Sequence, residues 1–231
     1  MRTWFEGDYE MIPERLKRLA ELVGRIGTGA DVGCDHAYLS HYLLKNDLAQ
    51  YMIATDINMN PLKYARRTLR PFQSRSQIRQ GYGLRPIDPG EVDAIFIGGL
   101  GAETIVEILE DGMERFPGTT FALQVNGDPS PLREFLLSKP IYREDIIKEN
   151  RHYYQIIIVK EGYSHGEQIW NGTGPILQIG TLYKTEVGKN YLKKCLADIE
   201  EALRGIGPAD VRGQHLREKH NFFTQLLSAE E

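Results

Sequence analysis

Asp31 and Asp35 flank Gly33 in the stretch Ala30-Asp31-Val32-Gly33-Cys34-Asp35-His36-Ala37-Tyr38, which runs from the end of an apolar segment into an amphipathic one. This order predicts the carboxyl end of a strand opening onto a helix over residues 38–45, the place where open α/β sheets bind ligands. Gly33 carries no Cβ, so a ligand can approach the backbone closely. The two carboxylates would repel a pyrophosphate, but they suit a ligand that carries an ammonium and a sulfonium. That chemistry points to S-adenosylmethionine rather than a dinucleotide. Taken alone, the stretch also fits a tight turn with solvated acids.

Residues further along the chain favour the ligand. Asp56 ends a second short apolar run and can accept both hydroxyls of an adenosine ribose, with Ile57 beside it. Gly81-Tyr82-Gly83-Leu84 follows a weak third strand, where an adenine ring can lie against backbone and an aromatic face. Gly98-Gly99-Leu100-Gly101 follows the fourth, read as a loop whose small residues leave room for two substrates and whose amides and carbonyls hold a methionine tail. The expected cofactor set is Asp31, Gly33, Cys34, Asp35, His36, Asp56, Ile57, Tyr82, Gly83, Leu84, Gly98 and Gly99. Asp35 and Tyr38 are the expected catalytic residues: a carboxylate, Asp35 or else Asp31 with the other taken by the cofactor ammonium, to stabilise developing positive charge, and an aromatic ring to position an incoming base. Each has a plainer alternative: Tyr38 as a core side chain, His36 as a satisfied structural histidine, Cys34 as a small buried residue.

The composition narrows the classes. With 231 residues, 41% of them hydrophobic and 26% charged, the chain is long enough to bury a sizeable core. No run approaches the roughly 18 apolar residues of a membrane helix, and the first ten residues contain no apolar h-region of a secretory signal. Cys34 and Cys195 form neither a disulfide framework nor a metal spacing, and no His pairing suggests a metal, so no metal and a cytoplasmic location are expected. A net charge of −4 argues against indiscriminate nucleic-acid binding. Against that background, residues 63–85 contain Lys63, Arg66, Arg67, Arg70, Arg75, Arg79 and Arg85 and no acid. Such a segment can follow an RNA backbone or simply form a solvated face, and Arg15, Lys17, Arg18 and Arg25 could extend it.

The elements that must position these residues alternate. A short apolar run that follows the break at Gly24–Gly29 and ends at Gly33, and further runs near 51–56, 77–80, 92–97 and 121–125, are interleaved with helical patterns over 12–23, 38–45, 61–69, 103–113 and 131–137. This predicts a mainly parallel α/β sheet with helices on both faces. Two further strands, 142–147 and 153–159, follow without a helix between them and predict an antiparallel ending. Residues 162–180 read as a connector, after which apolar positions from Leu182 to Ile206 and from Val211 to Leu227 describe two antiparallel helices. The expected domains are therefore 1–162, which binds the cofactor, and 163–231, a small coiled-coil-like helical unit for substrate RNA.

With these residues assembled, the chain resembles the bacterial tRNA methyltransferases that modify N1 of adenosine 22. The resemblance is carried by Arg15-Leu16, Asp31-Val32-Gly33, Asp35-His36-Ala37-Tyr38-Leu39, Asp56 with Pro61-Leu62, Gly83-Leu84, Gly99-Leu100-Gly101 with Ile108-Leu109, Leu123-Gln124 with Asn126, Leu132-Arg133, Glu149, Tyr154 and Gly174-Pro175. It implies the Rossmann-like seven-stranded sheet of class I methyltransferases, S-adenosylmethionine as cofactor and tRNA as partner. The chain departs from the family pattern at Ala102, where glycine is usual, at Val125 for a proline, at Tyr82 for a small acid or amide, and at Gln155 for a glutamate. Two other classes remain open at this point. One is a cofactor-sensing or RNA-binding module without catalysis. The other is a nicotinamide oxidoreductase, disfavoured because Asp35 stands where its second glycine is needed.

Overall fold

The computed structural model describes residues 12–137, 139–160, 172, 174–207 and 210–229. Seven strands form one sheet: β1 (Ile26–Val32), β2 (Ala49–Asp56), β3 (Ser76–Gln80), β4 (Ala94–Gly101), β5 (Thr120–Asn126), β6 (Ile141–Glu149) and β7 (His152–Lys160). Their spatial order is β3-β2-β1-β4-β5-β7-β6. The first five are parallel, and β7 runs antiparallel to both β5 and β6.

Strand side chains divide by alternation between two cores. Ile95, Ile97, Phe121 and Leu123 face α4 (Ala102–Glu110) and α5 (Ser130–Phe135), whereas Ala94, Phe96, Ala122 and Ile158 face α1 (Glu14–Val23), α2 (Tyr38–Lys45) and α3 (Met59–Thr68). Both faces are thus covered, which is why β4, β5 and β7 read as continuous apolar runs. The strand order reverses between β1 and β4, and the ligand crevice of such a sheet lies at that switch point, outside the carboxyl ends.

The structure corrects the sequence reading in several places. Gly98–Gly101 is not a loop: it continues β4, with a register shift between Gly98 and Leu100 where it pairs with β5. The fourth helix ends at Glu110, and a 3-10 turn over Met113–Arg115 follows. The long C-terminal helix starts at Glu186 rather than near Leu182. Thr185 caps it by accepting a 3.0 Å bond from the Gly188 amide, and 3-10 turns precede it. The expected domain boundary at 162 and the first ten residues lie outside the described residues.

The helices α6 (Glu186–Leu203) and α7 (Val211–Ser228) are antiparallel, since His220 meets Glu200 while Arg217 donates to the Gly207 carbonyl. They enclose a third core of Leu192, Cys195, Ile199 and Phe223, shared with Ile146 of β6. A fully buried guanidinium ties this unit to the sheet. Arg133 of α5 pairs with Glu144 at 2.8 Å and donates to Gln155 at 2.9 Å; Glu144 also accepts from the Thr181 amide and hydroxyl, and Gln155 donates to the Gln178 carbonyl.

Candidate functional site

The turn after β1 takes an unusual backbone course. Gly33, Asp35 and Ala37 all have positive φ, at 69°, 49° and 57°. Two of these are not glycine, and each such residue costs about 1 kcal/mol or more. The Cys34 amide bonds back to the Thr55 carbonyl, and the Ala37 amide to the Cys34 carbonyl. The result is a narrow crossing from β1 into α2 that leaves Asp35 exposed and buries Asp31.

Ala37, the residue before α2, offers no side-chain cap. Asp31 supplies one from the strand: its Oδ2 accepts from the Ser40 amide at 3.2 Å and the Ser40 hydroxyl at 2.7 Å. Burial nevertheless raises the Asp31 carboxyl to about 6, opposed by the Ser40 bonds and reinforced by the nearby charges of Asp56 and Asp35. Asp56 accepts from the Asn58 amide at 2.8 Å and the Asp35 amide at 3.3 Å, which leaves lone pairs on both oxygens for a diol.

These groups line a cleft of about 680 Å³ at the switch point, within the size range of small-molecule sites. Of the expected cofactor set, Asp31, Gly33, Cys34, Asp35, His36, Asp56, Ile57, Tyr82, Gly83, Gly98 and Gly99 line it, as does Tyr38. Leu84 does not: its side chain is fully buried in the core that holds α4. Burial pushes the Cys34 thiol far up, so it lines the wall as a neutral group.

Several lining or supporting residues, some of them part of the family resemblance, were not assigned to the site from sequence. Leu16, Leu100 and Ile108 form an apolar wall, with Thr104 beside it. Gln124 and Asn126 pin the β4 bulge: Gln124 Oε1 accepts from the Gly99 amide at 3.0 Å, and Asn126 Nδ2 donates to the Gly99 carbonyl at 2.7 Å. A fully buried glutamine in an otherwise apolar strand was the available signal. Tyr64 of α3 was also missed. Its ring lies 4.7 Å from that of His36, which in turn stacks on Tyr38 at 5.4 Å and 5°, forming an aromatic ladder.

The basic segment divides in two. Arg75 is engaged with Asp47 and the Ala49 and Gln50 carbonyls, Arg79 with Glu91 at 2.6 Å, and Arg85 with Asp111 at 2.7 Å. Arg15 and Lys17 likewise pair with Glu149 and Glu14, and Arg18 with Asp145, so they do not extend a free basic face. Lys63, Arg66, Arg67 and Arg70 remain exposed, at the i, i+3, i+4, i+7 spacing of one helix face. No acid pairs with them among the described residues, where no metal-binding cluster and no helix long and apolar enough to cross a membrane occur either.

Comparisons with known proteins agree with this geometry. Residues 12–157 match a family model described as a methyltransferase domain. The tRNA (adenine(22)-N(1))-methyltransferase of Bacillus subtilis (strain 168) is 30% identical over 194 residues, covering 82% of each chain. The crystal structure of the B. subtilis M1A22 tRNA methyltransferase TrmK superposes with a TM-score of 0.79 at 27% identity, covering 96% of this chain and 99% of that one. M. capricolum TrmK, solved with the cofactor product S-adenosylhomocysteine, gives a TM-score of 0.82 at 25% identity, covering 96% of this chain and all of that one. This chain belongs to the methyltransferase-domain proteins and, within them, to the tRNA (adenine(22)-N(1))-methyltransferase family.

Proposed function

We propose that this protein transfers the methyl group of S-adenosylmethionine to N1 of an adenine in tRNA. The observation that carries this reading is the switch-point cleft, where Asp31, Asp35 and Asp56 surround a close-approach glycine. A desolvated carboxylate such as Asp31 fits an ammonium, and Asp56, with free lone pairs at the end of β2, fits a ribose diol. The residues present therefore fit the cofactor of which the M. capricolum relative holds the product.

The cofactor supplies an electrophilic methyl group on sulfur. Adenine N1 carries a lone pair at neutral pH, so the protein needs no general base. Its task is to align the nucleophile and exclude water. Asp31 would hold the cofactor's ammonium and Asp56 its ribose, with the Gly98-Gly99 backbone, pinned at Gly99, beside the methionine portion. Tyr38, backed by His36 and Tyr64, positions the base. Asp35, exposed at the turn, stabilises the positive charge that develops on the ring.

The exposed stripe of Lys63, Arg66 and Arg67 lies on the helix whose start borders the cleft, continues to Arg70 in the 3-10 turn after it, and fits the phosphate backbone of the tRNA. The α6–α7 pair forms the second contact. Incubation with methyl-labelled S-adenosylmethionine and a tRNA transcript, followed by mapping of the label, tests the reading. Label on adenine N1 is expected. Retention of cofactor without transfer would reduce the protein to a binder, and label on a different atom would overturn the assignment of the base.

A further inference from the structure

A second cleft, of about 430 Å³, opens at the same sheet edge between the end of β5, the β6–β7 turn and α6. Methyl transfer as described above does not use it. Two contacts form the partition between the clefts. Asn126 donates to the Gly99 carbonyl at 2.7 Å, and the Arg15 guanidinium lies 4.9 Å over the Tyr154 ring. Gly99 and Arg15 line the cofactor cleft, while Asn126 and Tyr154 line the second. A nucleic acid strand with one base in the first cleft therefore presents its neighbours to the other.

The chemistry of the second cleft suits a nucleobase. Tyr153 and Tyr191 form an aromatic wall, with ring centroids 5.4 Å apart and planes inclined at 56°. Burial raises the Tyr191 phenol far above its ordinary value, so it is neutral, and its oxygen accepts from Gln178 Nε2 at 3.0 Å. Gln178 Oε1 is buried and has no hydrogen-bond partner among the described residues, an arrangement whose cost a ligand N–H reaching it would offset. The charges lining the cleft are balanced: Lys194 is bound by Asp198 at 2.5 Å, Arg151 is exposed, and Asp128 is engaged by Ser130. A free phosphate finds no excess of positive charge here, whereas a neutral heterocycle finds aromatic faces and acceptors.

We infer that this cleft holds a second nucleobase of the substrate RNA, stacked against Tyr153 with an amino or ring N–H edge directed at Gln178. The inference rests on the tRNA reading above. Two experiments on the full chain test it. Tyr153→Leu keeps apolar packing but removes the aromatic face, and it should raise KM for a tRNA transcript about tenfold while leaving kcat and the calorimetric Kd for S-adenosylmethionine unchanged. Independently of any variant, irradiation of the wild-type complex with a 6-thioguanosine-substituted transcript should cross-link peptides containing residues 151–154 or 191–198. An unchanged KM in a folded Tyr153→Leu variant, or cross-links confined to other peptides, overturns the assignment. If the wild-type protein transfers no methyl to tRNA at all, the parent reading fails instead.

Discussion

Asp31 Oδ2 receives both the amide and the hydroxyl of Ser40, so one carboxylate near the end of β1 caps α2 and lines the switch-point cleft. On the role proposed above it meets the cofactor ammonium, and burial raises the carboxyl to about 6. An ammonium selects the ionised form. Affinity for S-adenosylmethionine should therefore fall as pH drops below 6, by up to about tenfold per unit. Stability of the free protein runs the other way. Between the unfolded value of 3.8 and the folded value of about 6 the native state holds a proton that the unfolded chain has released, so this group's contribution declines as pH rises through that window. Calorimetry and thermal unfolding between pH 4.5 and 7.5, on the wild type and Asp31→Asn, check both slopes. Asp31→Asn should bind more weakly and lose the pH dependence; a flat wild-type profile would contradict the argument.

Asp56 and Tyr38 line the same cleft, and on the different roles proposed for them their variants should separate. Asp56→Ala removes the acceptor for the ribose diol and the bonds to the Asp35 and Asn58 amides, and it should raise the cofactor Kd by one to two orders of magnitude. Tyr38→Ala leaves those groups in place, and it should lower kcat about tenfold or more with the cofactor Kd little changed. Equal cofactor affinity and turnover in both variants would remove the two assignments.

The strand–helix alternation was legible because both faces of the sheet are covered, so Ile95–Ile97 and Phe121–Leu123 announce themselves as apolar runs bounded by turn residues. The turn at Gly33 was legible because its residues are contiguous and chemically unusual. What the sequence hid depends on pairing at long range. Gly98–Gly101 reads as a loop until β5 is set beside it, with Gln124 and Asn126 reaching back to Gly99. Likewise, the acid-free run from Lys63 to Arg85 looks uniform in sequence. Asp47, Glu91 and Asp111, which neutralise its second half, come from three other segments.

That division of the basic run yields a comparison between charge reversals. Glutamate at Arg66, Arg67 and Arg70 together should raise KM for tRNA at least tenfold and flatten its salt dependence, with cofactor binding intact. Arg79→Ala should instead act on the fold, because it breaks the bonds to Glu91 and to the Pro86 carbonyl. Its unfolding midpoint should drop while the salt dependence of the tRNA KM stays as in the wild type. Similar effects of both variants on the salt slope would mean that the basic surface is not divided in this way.

The docking of the helical pair depends on the space around Arg133. Gly180 has a φ of 61°, and a Cβ there would lie 2.2 Å from Nη1 of the fully buried Arg133, so the guanidinium would have to shift. Gly180→Ala combines left-handed backbone strain with displacement of the guanidinium from Glu144 and Gln155, and it should cost about 2–4 kcal/mol. Arg133→Met relieves the crowding yet leaves the largely buried Glu144 with Thr181 as its one partner among the described residues, so it should destabilise by a comparable amount. If the clash with Arg133 is the cause, Gly180→Ala placed on Arg133→Met should cost less than it does on the wild type, and the difference is a coupling energy. Denaturant unfolding of the two single variants and the double variant measures it; strict additivity would show that Gly180 is required for its backbone angle alone.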